Sequence, residues 1–232
     1  MKYWLTTTAM LAALGAALGA AAPAFAAGRE CVSAPNETLT VCVDVGATGA
    51  TYDVTRAGRP IITTSQLGLV LQGRSGAPVS RIAAVSRAAH DDTWEQPWGE
   101  QRLIRDHHNE LRLSLAGEGD ALPYDLVVRV FDDGFGFRYD VTDLGADEAV
   151  AITDERTQFN FAGRWDAWWY PARGVERDEY LYHRAPLNEV TLAETPLTLE
   201  GDGLYLSLHE AALSGYASMN LRHVGENSFK AD

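Results

Sequence analysis

Basic residues are scarce in this chain. Its 19 Lys and Arg stand against 32 Asp and Glu, a formal net charge of -13. So acidic a protein is repelled by phosphate backbones and anionic headgroups, which argues against nucleic acid or a membrane surface as partner. Cysteine is limited to Cys31 and Cys42, without the spacing of a thiolate metal site. A Gly-rich phosphate loop, a G-x-S-x-G elbow, an H-E-x-x-H pair and an EF-hand loop are all missing. Long apolar runs are missing after the first 26 residues. What is present is ordinary globular material. Hydrophobic residues make up 46% of the 232 positions, enough for a sizeable core, and the length suits one domain. The 21 Gly and 9 Pro, spread throughout, exclude a coiled coil.

The first residues read as an export signal. Lys2 gives a positive start, residues 9–21 are apolar, and Ala24-Phe25-Ala26 is a small-residue cleavage site. The run is shorter than the roughly 20 residues a membrane span requires. The expectation is therefore a signal peptide over 1–26 and one exported domain over 27–232, in the periplasm or beyond it. Export bears on the cysteines. A hairpin turning at Asn36-Glu37 sets position 31 opposite position 42, and opposed cysteines in an oxidising compartment suggest one disulfide.

Short alternating runs dominate the rest. Leu39, Val41, Val43 and Val45 share one strand face, as do Leu111, Leu113 and Leu115. Phe135, Phe137, Tyr139 and Val141 repeat the pattern, and Leu204, Leu206 and Leu208 do so after Gly201-Asp202-Gly203. Turn clusters at 56–60, 73–76 and 117–120 separate the runs. Many short strands at this spacing predict an all-β, antiparallel sandwich. Helix signals are weak. Residues 81–89 suit a strand as well as a helix, and Glu210-Ala211-Ala212-Leu213 suits a single turn before Gly215.

Three constellations can carry chemistry. Trp94-Glu95-Gln96-Pro97-Trp98-Gly99-Glu100, followed by Arg102 and Asp106-His107-His108-Asn109-Glu110, mixes aromatics with carboxylates in the manner of sugar sites. His107 and His108 are adjacent on a strand, so they point to opposite faces and do not readily share one ion. Trp165-Asp166-Ala167-Trp168-Trp169-Tyr170 holds four aromatics, which cannot all occupy one strand face. Leu208-His209-Glu210 ends a buried-strand pattern in a His and a carboxylate, at a position where loops carry function.

Several of these segments occur in a specific order. Trp94-Glu95-Gln96-Pro97-Trp98-Gly99-Glu100 comes first, then Asn109-Glu110-Leu111 and Phe131-Asp132-Asp133-Gly134-Phe135-Gly136-Phe137-Arg138-Tyr139. Ile152-Thr153-Asp154-Glu155, Trp168-Trp169-Tyr170-Pro171, Thr195-Pro196-Leu197-Thr198 and His209-Glu210-Ala211-Ala212-Leu213 follow. The ordered set resembles the N-terminal domain of glycoside hydrolase family 97, a family of exported bacterial α-glucosidases and α-galactosidases. The resemblance covers nearly all of residues 27–232. It implies a β-super-sandwich like that of galactose mutarotase, packed against a catalytic (β/α)8 barrel that supplies the general acid, the base or nucleophile and most ligands of a calcium ion. The one calcium carboxylate implied for this domain is Glu210. Trp168, Trp169, Asn109, Glu110 and His209 are the candidate contacts to an α-linked oligosaccharide.

Glycoside hydrolysis in its common forms needs two positioned carboxylates, and the resemblance assigns both to the barrel. Since the sequence stops at Asp232, the expectation is a fragment, a truncated reading frame or one piece of a split enzyme, not catalytic alone. Part of the 165–170 segment and the Trp94–Trp98 loop should then be exposed. The alternatives are a free-standing aldose mutarotase-like enzyme, using His209 and Glu210 or drawing on His107, His108 and Glu110, and an oligosaccharide-binding module reading sugar through Trp168, Trp169 and Tyr170. Against the mutarotase, adjacent residues on a strand diverge, which would part His209 from Glu210.

Overall fold

The alternating runs form strands, each closed by the turn chemistry next to it. The computed structural model describes residues 27–141, 151–172 and 180–232. The export segment over 1–26 lies outside them. Among the described residues there are eighteen strands and one 3-10 turn, Leu187–Glu189. The strands are β1 (Gly28–Ser33), β2 (Leu39–Gly46), β3 (Gly49–Arg56), β4 (Arg59–Leu67), β5 (Leu69–Leu71) and β6 (Arg81–Glu95). Next come β7 (Leu103–Ala116), β8 (Tyr124–Phe131), β9 (Phe135–Asp140), β10 (Ile152–Glu155), β11 (Gln158–Phe161) and β12 (Asp166–Trp169). The chain ends with β13 (His183–Pro186), β14 (Leu192–Glu194), β15 (Leu197–Gly201), β16 (Leu204–Leu208), β17 (Asn220–Gly225) and β18 (Ser228–Ala231).

Among the described residues every strand pairing is antiparallel. An eight-stranded sheet runs in the order β1-β2-β3-β4-β11-β18-β17-β14. Two four-stranded sheets, β6-β7-β8-β9 and β13-β12-β15-β16, and the small pair β10-β5 complete the set. The eight-stranded sheet shares one hydrophobic core with both four-stranded sheets. This is the all-β sandwich that the alternation predicts.

The core is built from the residues that alternate. Val41, Val43 and Val45 of β2 are buried, as are Leu111, Leu113 and Leu115 of β7 and Leu126, Val128 and Val130 of β8. Phe135, Phe137 and Tyr139 of the edge strand β9, and Val141 just past its end, pack against this core. Burying such aliphatic side chains contributes about 1.5–3 kcal/mol each, which is why the period-2 pattern fixes which face turns inward. Position 31 faces position 42 across β1 and β2, and Cys31 and Cys42 are joined by a disulfide. Glu37 closes that hairpin with a positive φ of 61°. Asn36 Oδ1 accepts from the Thr38 amide at 3.0 Å.

The two ambiguous segments resolve differently. Residues 81–89 are strand, the first part of the long hairpin arm β6. Residues 210–213 form no helical turn. The Glu210 side chain is tied back to Thr195 and Met219 instead, which draws the chain off a helical path.

Candidate functional site

Glu210 stands just beyond the end of β16, at the start of an exposed loop that runs to Met219. Its carboxylate fastens that loop at two points. The Thr195 hydroxyl, in the short link between β14 and β15, donates to Oε2 at 2.6 Å. The Met219 amide, at the far end of the loop, donates to Oε1 at 3.3 Å. Thr195 itself is buried. Its Oγ1 also lies 3.1 Å from the Met219 carbonyl oxygen.

His209 Nδ1 lies 3.4 Å from Glu210 Oε2. The strand ends at Leu208, so the rule that neighbours diverge does not reach this pair, and the two side chains meet. Burial pushes the Glu210 carboxyl up. The Thr195 hydroxyl, the amides of Glu210 itself and of Met219, and the nearby His209 outweigh that and hold it below the usual carboxylate value. The result is an ionised carboxylate about one-fifth exposed, braced by neutral donors and facing a loop.

The aromatic run splits between faces, as strand geometry requires. Trp165 and Tyr170 are buried, and Trp165 Nε1 donates to the Ala162 carbonyl at 2.6 Å. Trp169 packs against the core, 6.3 Å from the His183 ring. Trp168 is 40% exposed. It donates to Glu200 Oε2 at 3.0 Å, and the Arg184 guanidinium lies 5.7 Å from its ring centre. Trp94 and Trp98 are exposed as well. Trp168 and Glu210 belong to the same sheet or its margin, since β12, β15 and β16 are neighbours.

Asn109 and Glu110 lie in the other four-stranded sheet, on opposite faces of β7. Asn109 Nδ2 donates to the Ser33 carbonyl at 2.9 Å and ties this sheet to β1. Glu110 Oε2 accepts from Arg129 Nε at 2.8 Å. Burial pushes the Glu110 carboxyl up, but Arg129 and the more distant Arg112 and His90 draw it below its usual value. His107 and His108 point apart. His107 Nδ1 lies 3.9 Å from Asp132, while His108 is buried and bonded to Asp106. The structure thus joins His209 to Glu210 and keeps both in a different sheet region from Asn109 and Glu110.

Comparison with known proteins bears on this arrangement. The family described as Glycosyl-hydrolase 97 N-terminal matches residues 32–231. The chain is 30% identical to a probable retaining alpha-galactosidase of Streptomyces bingchenggensis, over 94% of this chain and 35% of that protein. It is 21% identical to a retaining alpha-galactosidase of Bacteroides thetaiotaomicron, over 82% of this chain and 30% of that one. A family 97 glycoside hydrolase from Pseudoalteromonas sp. strain K8, solved in complex with panose, superposes with a TM-score of 0.80 at 32% identity. That match covers 88% of this chain and 31% of that enzyme. The chain therefore spans about a third of the length of the curated relatives it matches. On the match over residues 32–231, the chain belongs to the glycosyl-hydrolase 97 N-terminal family.

Proposed function

We propose that this chain is the exported, non-catalytic N-terminal part of an α-glycoside hydrolase that docks on a (β/α)8 barrel and lends Glu210 to a calcium site beside the sugar. The observation that carries the reading is the state of Glu210: ionised, braced on two sides and partly open to solvent. The oxygens near it are hard donors, a carboxylate, the Thr195 hydroxyl and the Met219 carbonyl. That chemistry suits Ca2+ and disfavours softer metals, for which a lone histidine such as His209 would be the better ligand. The donor set fits one arm of a calcium site and falls short of the roughly 6–8 oxygens a full site takes.

Calcium bound there would act as a Lewis acid and orient a sugar hydroxyl or the glycosidic oxygen. The work of this chain is to hold Glu210 charged and aimed, and to present Trp168 as a stacking face for an α-linked oligosaccharide. The panose complex of the Pseudoalteromonas enzyme, 32% identical over this region, supports a sugar of that class. The names of the two relatives favour an α-galactoside.

Calorimetry tests the reading. The chain alone should bind calcium weakly, at roughly millimolar concentration as low-charge sites do, and should release no sugar from p-nitrophenyl α-galactoside. Adding a family 97 barrel in trans should tighten calcium binding steeply, and Glu210→Gln should remove most of that gain. Micromolar binding by the chain alone, indifferent to Glu210→Gln, would put the ligand elsewhere.

A further inference from the structure

The long hairpin of β6 and β7 places two histidines where the sequence shows only one pair. β6 meets β7 with Glu95 opposite Leu103, so the arms fold about Gly99. Gly99 has a φ of +104°, and a Cβ there would lie 2.7 Å from Gln96 Nε2, so the turn suits glycine. This register sets His90 directly opposite His108. Glu110, two residues along β7, shares their face because strand side chains alternate. That face is turned away from Leu111, Leu113 and Leu115, which fill the core.

His108 is held in one orientation. Its ring stacks on His90 with centres 4.6 Å apart, and Phe131 covers its other side at 4.9 Å. Nδ1 lies 2.5 Å from Asp106 Oδ1. A carboxylate can only accept, so Nδ1 carries the hydrogen, and Nε2 is the nitrogen left to offer a lone pair to an ion. That Nε2 is buried and has no hydrogen-bond partner, on a residue only 1% exposed. A buried polar nitrogen left unpaired costs free energy unless something fills the gap beside it. A histidine fixed by a carboxylate through one nitrogen and free at the other is the arrangement that supports metal ligands.

The ligand atoms of His90, His108 and Glu110 all lie within 4.8 Å of one another. Donors bound to zinc at about 2.0–2.1 Å sit somewhat over 3 Å apart, so the side chains would close in, and the His90 ring would turn out of its stack on the fixed His108 ring to point a nitrogen at the shared ion. Arg129 engages Oε2 of Glu110 and leaves Oε1 as the donor.

We propose that His90, His108 and Glu110 form a site for a divalent transition ion of the zinc class, with Asp106 as the positioning residue behind His108. Two imidazoles and one carboxylate suit such an ion and not calcium or magnesium. Three protein ligands leave a fourth position for water. The ion would pin the edge strand β6 to β7, apart from the calcium chemistry at Glu210, and the inference does not rest on that reading.

The test uses the untagged chain stripped with a chelator and titrated with Zn2+ by calorimetry. One zinc per chain should bind saturably and raise the melting temperature. Co2+ in its place should give the intense visible bands of a four-coordinate N/O site. His90→Ala and Glu110→Gln should abolish this binding, Asp106→Asn should weaken it about tenfold or more, and His107→Ala should leave it unchanged. His90→Ala removes a half-buried edge-strand side chain, so it should keep the fold. No saturable Zn2+ binding, or binding that survives both His90→Ala and Glu110→Gln, would overturn the proposal.

Discussion

Glu110 and Glu210 are both largely buried carboxylates held ionised, but by different means. Glu110 sits mid-strand, and its partner is the charged Arg129 on the adjacent β8. Its surroundings are a lattice of charges: Arg112 bridges Asp125 and Asp140, and Arg138 holds Asp140 as well. Glu210 sits outside any strand. Its firmest partners are neutral, a hydroxyl and an amide, and the loop it anchors carries exposed Leu213 and Tyr216. The first region is assembled by strand register, from side chains of neighbouring strands in one sheet. The second is a braced end with apolar surface beside it, the form expected where another surface completes a site. The difference lies in where the neighbours come from: the register of one sheet supplies them for Glu110, and a loop folded back onto the link between β14 and β15 supplies them for Glu210.

The largest effect should separate core from loop. Leu111 follows Glu110 on β7 and is fully buried, whereas Leu213 is 54% exposed in the loop after Glu210. Leu111→Ala should cost about 2–5 kcal/mol in denaturant unfolding. Leu213→Ala should change stability by less than about 0.5 kcal/mol. Comparable losses would mean that the loop belongs to the cooperative core and that the contrast is wrong.

A smaller effect should come from the brace itself. Thr195→Val removes the hydroxyl that donates to Glu210 while keeping the volume. An intramolecular hydrogen bond contributes about 0.5–1.5 kcal/mol, and one to a charged group about 1.5–3. With Glu210 still partly solvated, the loss should fall near the lower range, about 1 kcal/mol. Calcium binding with a barrel in trans should weaken in the same variant. A Thr195→Val protein with unchanged stability would show that the amides of Glu210 and Met219 hold the carboxylate without the hydroxyl.

The strand pattern was legible in the sequence because burial on one face enforces a period of two, as at Leu39 to Val45 and Leu111 to Leu115. Residues 81–89 were ambiguous because an edge strand buries little, and of 83–89 none is buried. The expected turn at 210–213 failed because side-chain bonds from Glu210, invisible in sequence, outweigh the weak helical preference of four residues. His209 and Glu210 meet because the strand stops at Leu208, a boundary the alternation of Leu204, Leu206 and Leu208 does not announce. His90 was missed because its partner lies eighteen positions away. The signal was available in Gly99: a hairpin folded about that residue sets position 90 opposite 108. Asn109 is a candidate sugar contact in the sequence, and the structure adds that its Nδ2 donates to the Ser33 carbonyl, a contact only the sheet packing reveals.

The smallest effect is the most discriminating, because it sets the two carboxylates against each other under acid and salt. Both have folded pKa values below their usual value of 4.5. A carboxylate depressed in the folded state contributes stability that is present above its unfolded pKa and is lost as pH falls through the folded one. The stability gap between the chain and Glu210→Gln should therefore be full near neutrality and close as pH drops below the ordinary carboxylate range. Glu110→Gln, measured in chelator, should follow the same course. Salt should then tell them apart. The attraction between Glu110 and Arg129 is between two charges, with Arg129 40% exposed, so added salt should screen part of it and shrink that gap at neutral pH. The Glu210 brace rests mainly on hydrogen bonds from uncharged donors and should keep its gap nearly unchanged, apart from the small share owed to His209. Urea melts of the three proteins at low and high salt, at neutral and acid pH, measure this. Equal salt sensitivity at both sites would mean that His209, and not Thr195 and Met219, holds Glu210 charged.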